Sequence, residues 1–289
     1  MDERIAVVTG ATSGIGREIA AGLAERGYRI GIVGRNEVRA KAAVAALAER
    51  APDARADIFL ADLSSRAEVR DLAGRLRDRY RRLDVLVNNA GVHTLRAKVS
   101  ADGFDRMIAT NHLGPFLLTN LLRDLLVASA PSRVVMVASE AHRHAGPLDP
   151  DRLAEPGSYG ALGSLRVYAR SKLLNILFTQ EMAERLQGTG VTINAVCPGM
   201  VATDLTREVP GAGRFGPLAA RTPLLRTPEQ GARMALRLAT EPEFADSSGG
   251  FYSSTPGARL LPASAARKDR ELRRAVWERS AHLAGLPAR

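Results

Sequence analysis

The sequence predicts a single α/β domain, a doubly wound parallel sheet with helices on both faces. Short, almost wholly apolar runs alternate with amphipathic stretches along most of the chain. Strands of a parallel sheet have this pattern because helices cover both of its faces. The length of 289 residues, 45% of them hydrophobic and 25% charged, allows one domain over 1–289. No internal repeat or low-complexity linker divides the chain.

Strands and helices are expected in alternation, with one long irregular segment between them. Strands are predicted at 5–9, 28–33, 56–61, 85–88, 133–138, 191–196 and, as an edge strand, 250–253. Helices are predicted at 15–25, 37–50, 66–82, 101–128, 165–187, 228–240 and 265–283. The last helix is basic and carries Trp277, which we expect to anchor it in a core or an interface. Residues 201–227 are rich in Gly, Pro and Arg, which predicts a loop with short helical pieces.

Composition argues against several classes of function. The net charge is +10, but the arginines are scattered among acidic residues without an aromatic-rich basic stripe, so we expect no nucleic-acid partner. No apolar stretch reaches the roughly 18 residues that cross a bilayer, and the N-terminus lacks a signal-peptide pattern. The single Cys197 cannot form an internal disulfide, which fits a reducing compartment. A cytoplasmic protein without a membrane span is the expectation.

A glycine-rich turn separates the first strand from the first helix, over residues 9–16. Its glycines would let the backbone approach a pyrophosphate, and the helix N-terminus would offer unpaired N–H groups and a positive dipole. The spacing Gly-x-x-x-Gly-x-Gly differs from the commoner Gly-x-Gly-x-x-Gly pattern, and glycines that only close a tight turn are the alternative. The pattern predicts a Rossmann-type nucleotide site. Its candidate residues are Gly10, Thr12, Ser13, Gly14, Ile15 and Gly16.

The end of the second strand indicates which dinucleotide would bind. An NAD site would have a carboxylate there for the ribose 2′-hydroxyl, but this chain has Arg35 and Asn36 after Gly34. Arg35 can bind a 2′-phosphate bidentately, with a charge-assisted hydrogen bond worth roughly 1.5–3 kcal/mol. NADP(H) is therefore favoured over NAD(H), unless Arg35 is only a surface residue at the start of a helix.

Tyr168 and Lys172 are four residues apart, so a helix would place phenol and ammonium on one face. Lysine is scarce, with only four in the chain, which suggests a task for a compact charge at 172. A unit charge about 4 Å away is worth roughly 4 kcal/mol at an effective dielectric constant of about 20, or about three pKa units. We expect Lys172 to lower the pKa of Tyr168, so that the phenol can act as an acid–base catalyst near neutral pH.

Two further polar residues are candidates for the same site. Ser139 follows the strand predicted at 133–138, and ligands of open α/β sheets bind at the carboxyl ends of strands. Its hydroxyl would hold a substrate oxygen, and a strand-terminating or helix-capping serine is the alternative. Asn111 lies inside a predicted helix although Asn is a mediocre helix former, and its alternative is a solvated polar position.

Three other residues are expected to lie outside the chemistry. Tyr159 has no lysine four residues on. His142 and His144 have a His-x-His spacing, but no third ligand is clustered with them, so no metal site is expected. The two histidines are predicted to lie in a surface loop or at the rim of a substrate pocket.

Together these motifs resemble those of the short-chain dehydrogenase/reductase family. They occur in the same order as in that family and extend over nearly the whole chain. They are Thr9-Gly10-x-x-x-Gly14-x-Gly16, Asn88-Asn89-Ala90-Gly91, Ser139, Tyr168-x-x-x-Lys172 and Pro198-Gly199. Segments 111–119, 139–142, 168–178 and 277–280 resemble the retinol dehydrogenase-like branch. Pro115 stands where that branch commonly has His, and the N-terminal membrane anchor of many members is not expected here. The resemblance implies the reductase chemistry and not retinol itself.

The resemblance also implies roles for individual residues. Asn111 would kink its helix and hold a water of a proton relay, and Lys172 would also bind the nicotinamide ribose. Asp62, with Leu63 beside it, would meet the adenine edge, and a helix N-cap is the alternative for Asp62. Further implied contacts are Asn88, Asn89, Ala90 and Gly91 at the adenine ribose, where ordinary turn chemistry is the alternative for the two asparagines, and Pro198, Gly199, Val201 and Thr203 at the nicotinamide carboxamide. Dimers or tetramers are usual in the family, which implies a homodimer or homotetramer.

The residues and the resemblance lead to an NADP(H)-dependent reductase or alcohol dehydrogenase acting on a small-molecule carbonyl or alcohol. A sugar-nucleotide epimerase or dehydratase is an alternative, against which the glycine spacing and the lack of a long substrate domain argue. A protein that senses or scaffolds NADP(H) without catalysis is the other, and the intact Asn111, Ser139, Tyr168 and Lys172 set disfavours it. A substrate loop is predicted at 205–226. Its Pro210, Phe215, Leu218 and Leu224 favour an apolar substrate, whereas Arg207, Arg214 and Arg221 could meet an acidic group.

Overall fold

A seven-stranded sheet forms the centre of the computed structural model, which describes residues 3–201 and 226–287. The strands are β1 Arg4–Thr9, β2 Tyr28–Gly34, β3 Ala56–Leu60, β4 Val85–Asn88, β5 Ser132–Val137, β6 Val191–Cys197 and β7 Phe251–Ser253. Their spatial order is β3-β2-β1-β4-β5-β6-β7, and every neighbouring pair is parallel. The predicted doubly wound parallel sheet is confirmed, including its edge strand, and its order reverses between β1 and β4.

Helices cover both faces of the sheet. They are α1 Gly14–Ala24, α2 Glu37–Arg50, α3 Arg66–Arg79, α4 Arg106–Ile108, α5 Gly114–Leu121, α6 Arg123–Ala128, α7 Ala161–Arg185, α8 Pro228–Thr240, α9 Ala265–Lys268 and α10 Arg270–Ala284, with a π-helix, Ala109–Leu113, between α4 and α5. Helices α1, α2 and α8 enclose one core cluster with Val8 of β1. Helices α3, α5, α7 and α10 enclose another with Val7. Successive residues of β1 thus face opposite layers, as the pleat requires.

The helix predicted over 101–128 is wrong in its start and in its continuity. It begins only at Arg106, because the Asp105 carboxylate accepts hydrogen bonds from the N–H groups of Met107 and Ile108 and so caps α4. The π-helix interrupts it at Ala109–Leu113, and a break at Leu122 separates α5 from α6. Apolar periodicity does not register the π-helix, because the residues within it and directly on both sides of it are buried.

The predicted terminal helix is divided in a similar way. Asp269 lies between α9 and α10, and its side chain accepts from the N–H of Leu272. An aspartate with free backbone N–H groups after it starts a helix more readily than it continues one. Helix α7 begins at Ala161, four residues before its predicted start. No helix within 3–201 and 226–287 is both long and apolar enough to cross a membrane.

Candidate active site

The candidate residues come together at the carboxyl edge of the sheet, around the reversal between β1 and β4. Gly10 follows β1, Gly91 follows β4, Ser139 follows β5 and Pro198 follows β6. In open α/β sheets, ligands bind in the crevice at this position because the loops on its two sides run apart. Thr203 and all of the predicted substrate loop except Arg226 lie outside the described residues.

Two glycines of the turn are required by close backbone packing. Gly10 has a φ of 66°, and a Cβ there would lie 2.9 Å from the Cα of Ala90. A Cβ on Gly16 would lie 2.3 Å from Asn89 Nδ2 and 2.3 Å from the Gly10 carbonyl oxygen. The turn itself therefore requires glycine at both positions, as the tight-turn alternative predicts.

The N-terminus of α1 is nevertheless free to receive an anion. Ser13 is its N-cap residue but makes no side-chain capping hydrogen bond, and the first turn contains no acidic residue. The positive end of the helix dipole is thus uncompensated by a local carboxylate. Thr12 and Ile15 pack against their neighbours, near Gly34 and Gly231 respectively. This cradle fits a pyrophosphate.

The asparagine pair after β4 is already engaged within the protein. Asn89 Nδ2 donates to the Thr9 and Gly10 carbonyl oxygens, at 2.9 and 3.3 Å. The Thr9 hydroxyl accepts from the N–H groups of Asn89 and Ala90, at 3.0 Å each. Asn89 therefore ties the turn after β1 to the end of β4. Asn88 Nδ2 donates to Thr119 Oγ1 at 2.9 Å, whereas its Oδ1 is buried without a hydrogen-bond partner among the described residues. Contact of either asparagine with an adenine ribose stays a prediction.

Arg35 lies at the predicted adenine end, beside Asp62. Its Nη1 is 3.7 Å from Asp62 Oδ2, and Arg106 Nη2 approaches the same oxygen at 3.4 Å. Burial raises the pKa of Asp62, but hydrogen bonds from Ser64 and the two guanidinium charges outweigh it and hold the pKa below its usual value. Half of the Arg35 side chain is exposed, so its guanidinium is accessible to a phosphate.

Hydrogen bonds show whether Asn36 and Asp62 cap helices. Asn36 Oδ1 accepts from the N–H of Arg39 and caps α2. The alternative of Asp62 as a helix N-cap is wrong, because Ser65 is the N-cap of α3. Asp62 instead accepts from the N–H and hydroxyl of Ser64. Leu63 is buried in the apolar core, so only its backbone could meet a ligand.

Tyr168 and Lys172 lie on one face of α7, with the ammonium 5.5 Å from the centre of the phenol ring. Lys172 is 3% exposed, and its Nζ donates to the Val137 carbonyl oxygen at 3.0 Å. Burial lowers its pKa to about 8. The same burial raises the pKa of Tyr168, and the nearby Ser139 side chain opposes this rise. The expected lowering of the phenol's pKa is therefore wrong for this structure, because burial disfavours both charged forms.

Asn111 lies in the π-helix and is fully buried. Its Oδ1 accepts from the N–H of Val92 at 2.7 Å, and its Nδ2 donates to the Val92 carbonyl at 2.9 Å and to Ser171 Oγ at 3.0 Å. The solvated alternative is wrong, and the helix is irregular at this residue as expected. A Cβ on Gly91 would lie 3.5 Å from both Asn111 Oδ1 and Lys172 Nζ, so Gly91 leaves room between them. The proton-relay water stays a prediction.

Ser139 has the helix-capping role that was the alternative for it, and its hold on a substrate oxygen stays a prediction. It is the N-cap of a 3₁₀ helix at Glu140–His144, and its Oγ accepts from the N–H of Ala141 at 3.1 Å. The same side chain lies near enough to the Tyr168 phenol to oppose the rise of its pKa. The serine that caps this turn is thus held where it can share a substrate oxygen with Tyr168.

Of the residues predicted to meet the nicotinamide, Pro198, Gly199 and Val201 belong to the described part of the chain. Gly199 has a φ of 87°, and its position leaves space for the side chain of Arg226, whose Cδ would be 2.9 Å from a Cβ. Val201 pairs with Arg226 in an isolated parallel bridge. Pro198, Gly199 and Val201 therefore lie at the mouth of the crevice, after β6.

The structure adds one residue that the sequence interpretation missed. The ring of His93 lies 5.1 Å from that of Tyr168, and its Nε2 is 3.2 Å from Ser164 Oγ. The sequence offered one indication that His93 lies near the site, namely its position two residues after Gly91. His142, expected in a loop or at a rim, is instead buried, with Nδ1 2.8 Å from the Ser139 carbonyl oxygen.

Tyr159 lies away from the candidate site. Tyr159 donates to Asp105 Oδ2 at 2.7 Å and lines a cavity of about 370 Å³ on another face of α7, together with Arg166 and Arg170. Of the described residues that line this cavity, none belongs to the candidate site. Within 3–201 and 226–287, no three His, Cys, Asp or Glu side chains are grouped as metal ligands.

Comparisons with known proteins agree with this geometry. The family model described as short chain dehydrogenase matches residues 4–150, and the one described as Enoyl-(Acyl carrier protein) reductase matches residues 153–244. Dehydrogenase/reductase SDR family member 13 of Bos taurus is 42% identical over 286 residues, covering 98% of this chain and 74% of that protein. Retinol dehydrogenase 13 of Homo sapiens is 37% identical over 290 residues, covering 98% and 85%.

A solved structure extends the likeness to the backbone. A short chain dehydrogenase from Burkholderia cenocepacia in complex with NADP has a TM-score of 0.68 and 27% identity, covering 89% of this chain and 98% of that one. Fold, motif order and relatives thus agree over nearly the whole length. The chain belongs to the short-chain dehydrogenase/reductase family, in its retinol dehydrogenase-like branch.

Proposed function

We propose that this protein is an NADP(H)-dependent oxidoreductase that interconverts a carbonyl and an alcohol, with Tyr168 as the general acid–base. One observation carries the proposal: Ser139, Tyr168, Lys172 and Asn111 lie close together at the carboxyl edge of the sheet, beside a glycine cradle. Membership of the family already makes the protein an oxidoreductase that uses a nicotinamide cofactor.

The cofactor would lie along the reversal between β1 and β4. Gly10, Gly14 and Gly16 would border its pyrophosphate at the open N-terminus of α1. Arg35 would bind the 2′-phosphate that distinguishes NADP(H), exchanging its weak pairing with Asp62 for a stronger one. When bound, the cofactor supplies or accepts the hydride. The neighbour solved with NADP supports this choice.

The proton would pass through Tyr168. Because burial raises its pKa, the phenol is protonated at neutral pH and can donate to a carbonyl oxygen during reduction. Ser139 would hold that oxygen by a second hydrogen bond. Lys172, whose pKa of about 8 is lowered by burial, is still mostly charged at neutral pH and would bind ribose hydroxyls while stabilising a developing phenolate.

Turnover with carbonyl substrates tests the reaction. We expect oxidation of NADPH with some members of a panel of aldehydes, ketones and quinones, to which retinaldehyde is added because relatives are named retinol dehydrogenases. Tyr168→Phe should abolish this turnover and leave NADPH binding intact. Tyr28→Phe is the matched control, since Tyr28 lies at the start of β2, away from the site.

Two results would contradict the reaction. Substantial turnover by Tyr168→Phe would remove Tyr168 from the acid's role. Tight NADPH binding without turnover of any carbonyl would favour the non-catalytic sensor or scaffold. The apolar character of the substrate stays a prediction, since the loop residues behind it lie outside the described chain.

Cofactor preference has its own test. Arg35→Ala should raise the KM for NADPH by roughly ten- to a hundredfold, from the loss of a charge-assisted hydrogen bond, and should leave the KM for NADH nearly unchanged. Arg39→Ala, an exposed arginine of α2, should affect neither. Equal effects of Arg35→Ala on both cofactors would overturn the assignment to NADP(H).

A further inference from the structure

A buried polar contact outside the proposed chemistry joins helix α10 to the π-helix. His112 Nε2 lies 2.8 Å from Ser280 Oγ, and its Nδ1 lies 3.4 Å from Asn175 Oδ1 on α7. All three residues are at most 1% exposed. His112 and Ser280 are 168 residues apart in the chain. A polar network buried to this degree is stabilising only when each member has its partner.

The direction of the hydrogen bonds follows from the chemistry of the groups. Burial lowers the pKa of His112 to about 4, so the ring is neutral at pH 7. Because Asn175 Oδ1 can only accept, Nδ1 carries the proton, and Nε2 is left as an acceptor. The Ser280 hydroxyl donates to it. Removing that hydroxyl would leave Nε2 buried without a donor among the contacts that the structure describes.

His112 is the chain neighbour of Asn111, and both residues bond to α7. Asn111 Nδ2 donates to Ser171 Oγ, and His112 pairs with Asn175 one turn further along the same helix. A π-helix is rare as an isolated local conformation, so tertiary contacts of this kind are what fix its orientation. The position of His112 therefore bears on the position of Asn111.

Helix α10 is in turn held against α7 and α5 by contacts other than that of Ser280. Trp277, one turn before Ser280, stacks on Phe178 with ring centres 5.8 Å apart and contacts Phe116 edge-on at 5.0 Å. Arg273 pairs with Glu181 at 3.0 Å, both side chains being less than 10% exposed. These contacts place Ser280 opposite His112 without relying on their hydrogen bond.

We propose that Ser280 is a positioning residue, which through His112 fixes the π-helix and so the Asn111 amide that bridges Val92 and Ser171. The proposal rests on the proposed function only for the role of Asn111 in turnover. Its structural half, the coupling of α10 to the Val92 contact, stands on the geometry alone.

Amide hydrogen exchange tests the structural half directly. The Val92 N–H donates to Asn111 Oδ1, so its exchange reports on the position of Asn111. We expect Ser280→Ala to speed exchange at Val92 about tenfold, an estimate of the order of a lost buried hydrogen bond. Ser132→Ala is the matched control, because Ser132 is equally buried and donates to the Leu126 carbonyl far from the site. Ser280→Cys, which keeps a weak donor, should be intermediate and serves if the alanine variant folds poorly.

Kinetics test the functional half. Ser280→Ala should lower kcat about tenfold, a loss typical of slight misplacement in an active site, with the KM for NADPH within about twofold of the wild type. Unchanged exchange at Val92, or the same change in Ser132→Ala, overturns the inference whatever the activity. An inactive wild-type protein with the expected exchange would instead contradict the proposed function.

Discussion

At the scale of single residues, Lys172 shows how burial sets the chemistry of the site. Its ammonium is 3% exposed and donates to a backbone carbonyl, and no carboxylate pairs with it among the described residues. A charge without a counter-charge in the interior is unfavourable, which is why its pKa falls to about 8. We expect such a lysine to donate hydrogen bonds to the hydroxyl groups of a ligand.

This lowered pKa predicts a pH-dependent stability. Because the folded pKa of about 8 lies below the ordinary 10.5, the unfolded chain binds more protons between those values, so stability contributed by this group rises with pH there. Below pH 8 the deficit is constant at about 3 kcal/mol. Lys172→Met should therefore exceed the wild type in free energy of unfolding at about pH 7, by an amount that shrinks towards about pH 10.

Urea unfolding at several pH values measures this difference. Lys41→Met, on the exposed face of α2, is the control and should follow the pH dependence of the wild type. A gap between Lys172→Met and wild type that stays constant from about pH 7 to about pH 10 would contradict the prediction.

At the scale of elements, the segment from α4 to α5 is the part of the fold most specialised for the site. Asp105 caps α4, and the π-helix that follows turns Asn111 towards Val92 and His112 towards α10. A regular helix would place consecutive residues about 100° apart, whereas the wider π-turn changes that angle. The single π-helix thus allows Asn111 to contact Val92 and His112 to contact Ser280.

Helix α10 contributes to stability as well as position, chiefly through Trp277, which is 7% exposed. Trp277→Ala should lower the free energy of unfolding by about 3–5 kcal/mol, the usual effect of removing a large buried aromatic side chain. Arg274→Ala, exposed on the same helix, should change it by no more than about 0.5 kcal/mol. Urea unfolding compares the two, and equal effects would mean that α10 is not part of the cooperative core.

At the scale of the whole molecule, the parallel sheet brings together groups from distant parts of the chain. Turns after β1, β4, β5 and β6 meet at one edge because every strand runs in the same direction. Much of the arginine content is paired away from that edge, as in Arg29 with Asp57, Arg50 with Glu18 and Arg82 with Asp84. In the last two pairs the carboxylate is buried, so these arginines neutralise acidic groups that the fold has taken out of water.

The sequence by itself determined the fold class and the family, and it predicted the residues of the candidate site. These depend on short-range patterns: apolar runs, the Gly-x-x-x-Gly-x-Gly turn and the four-residue spacing of Tyr168 and Lys172. Such patterns can be recognised from the sequence because strand pleat, helical pitch and the freedom of glycine are local properties.

Only the tertiary structure decided what those residues contact. The tie of Asn89 to the glycine turn, the His93 ring beside Tyr168 and the bond between His112 and Ser280 join positions far apart in sequence. The direction of the Tyr168 pKa shift also reversed, because a spacing shows that a charge is near but not that both groups are buried. Burial is a property of the assembled core, and it decided the chemistry that the local pattern left open.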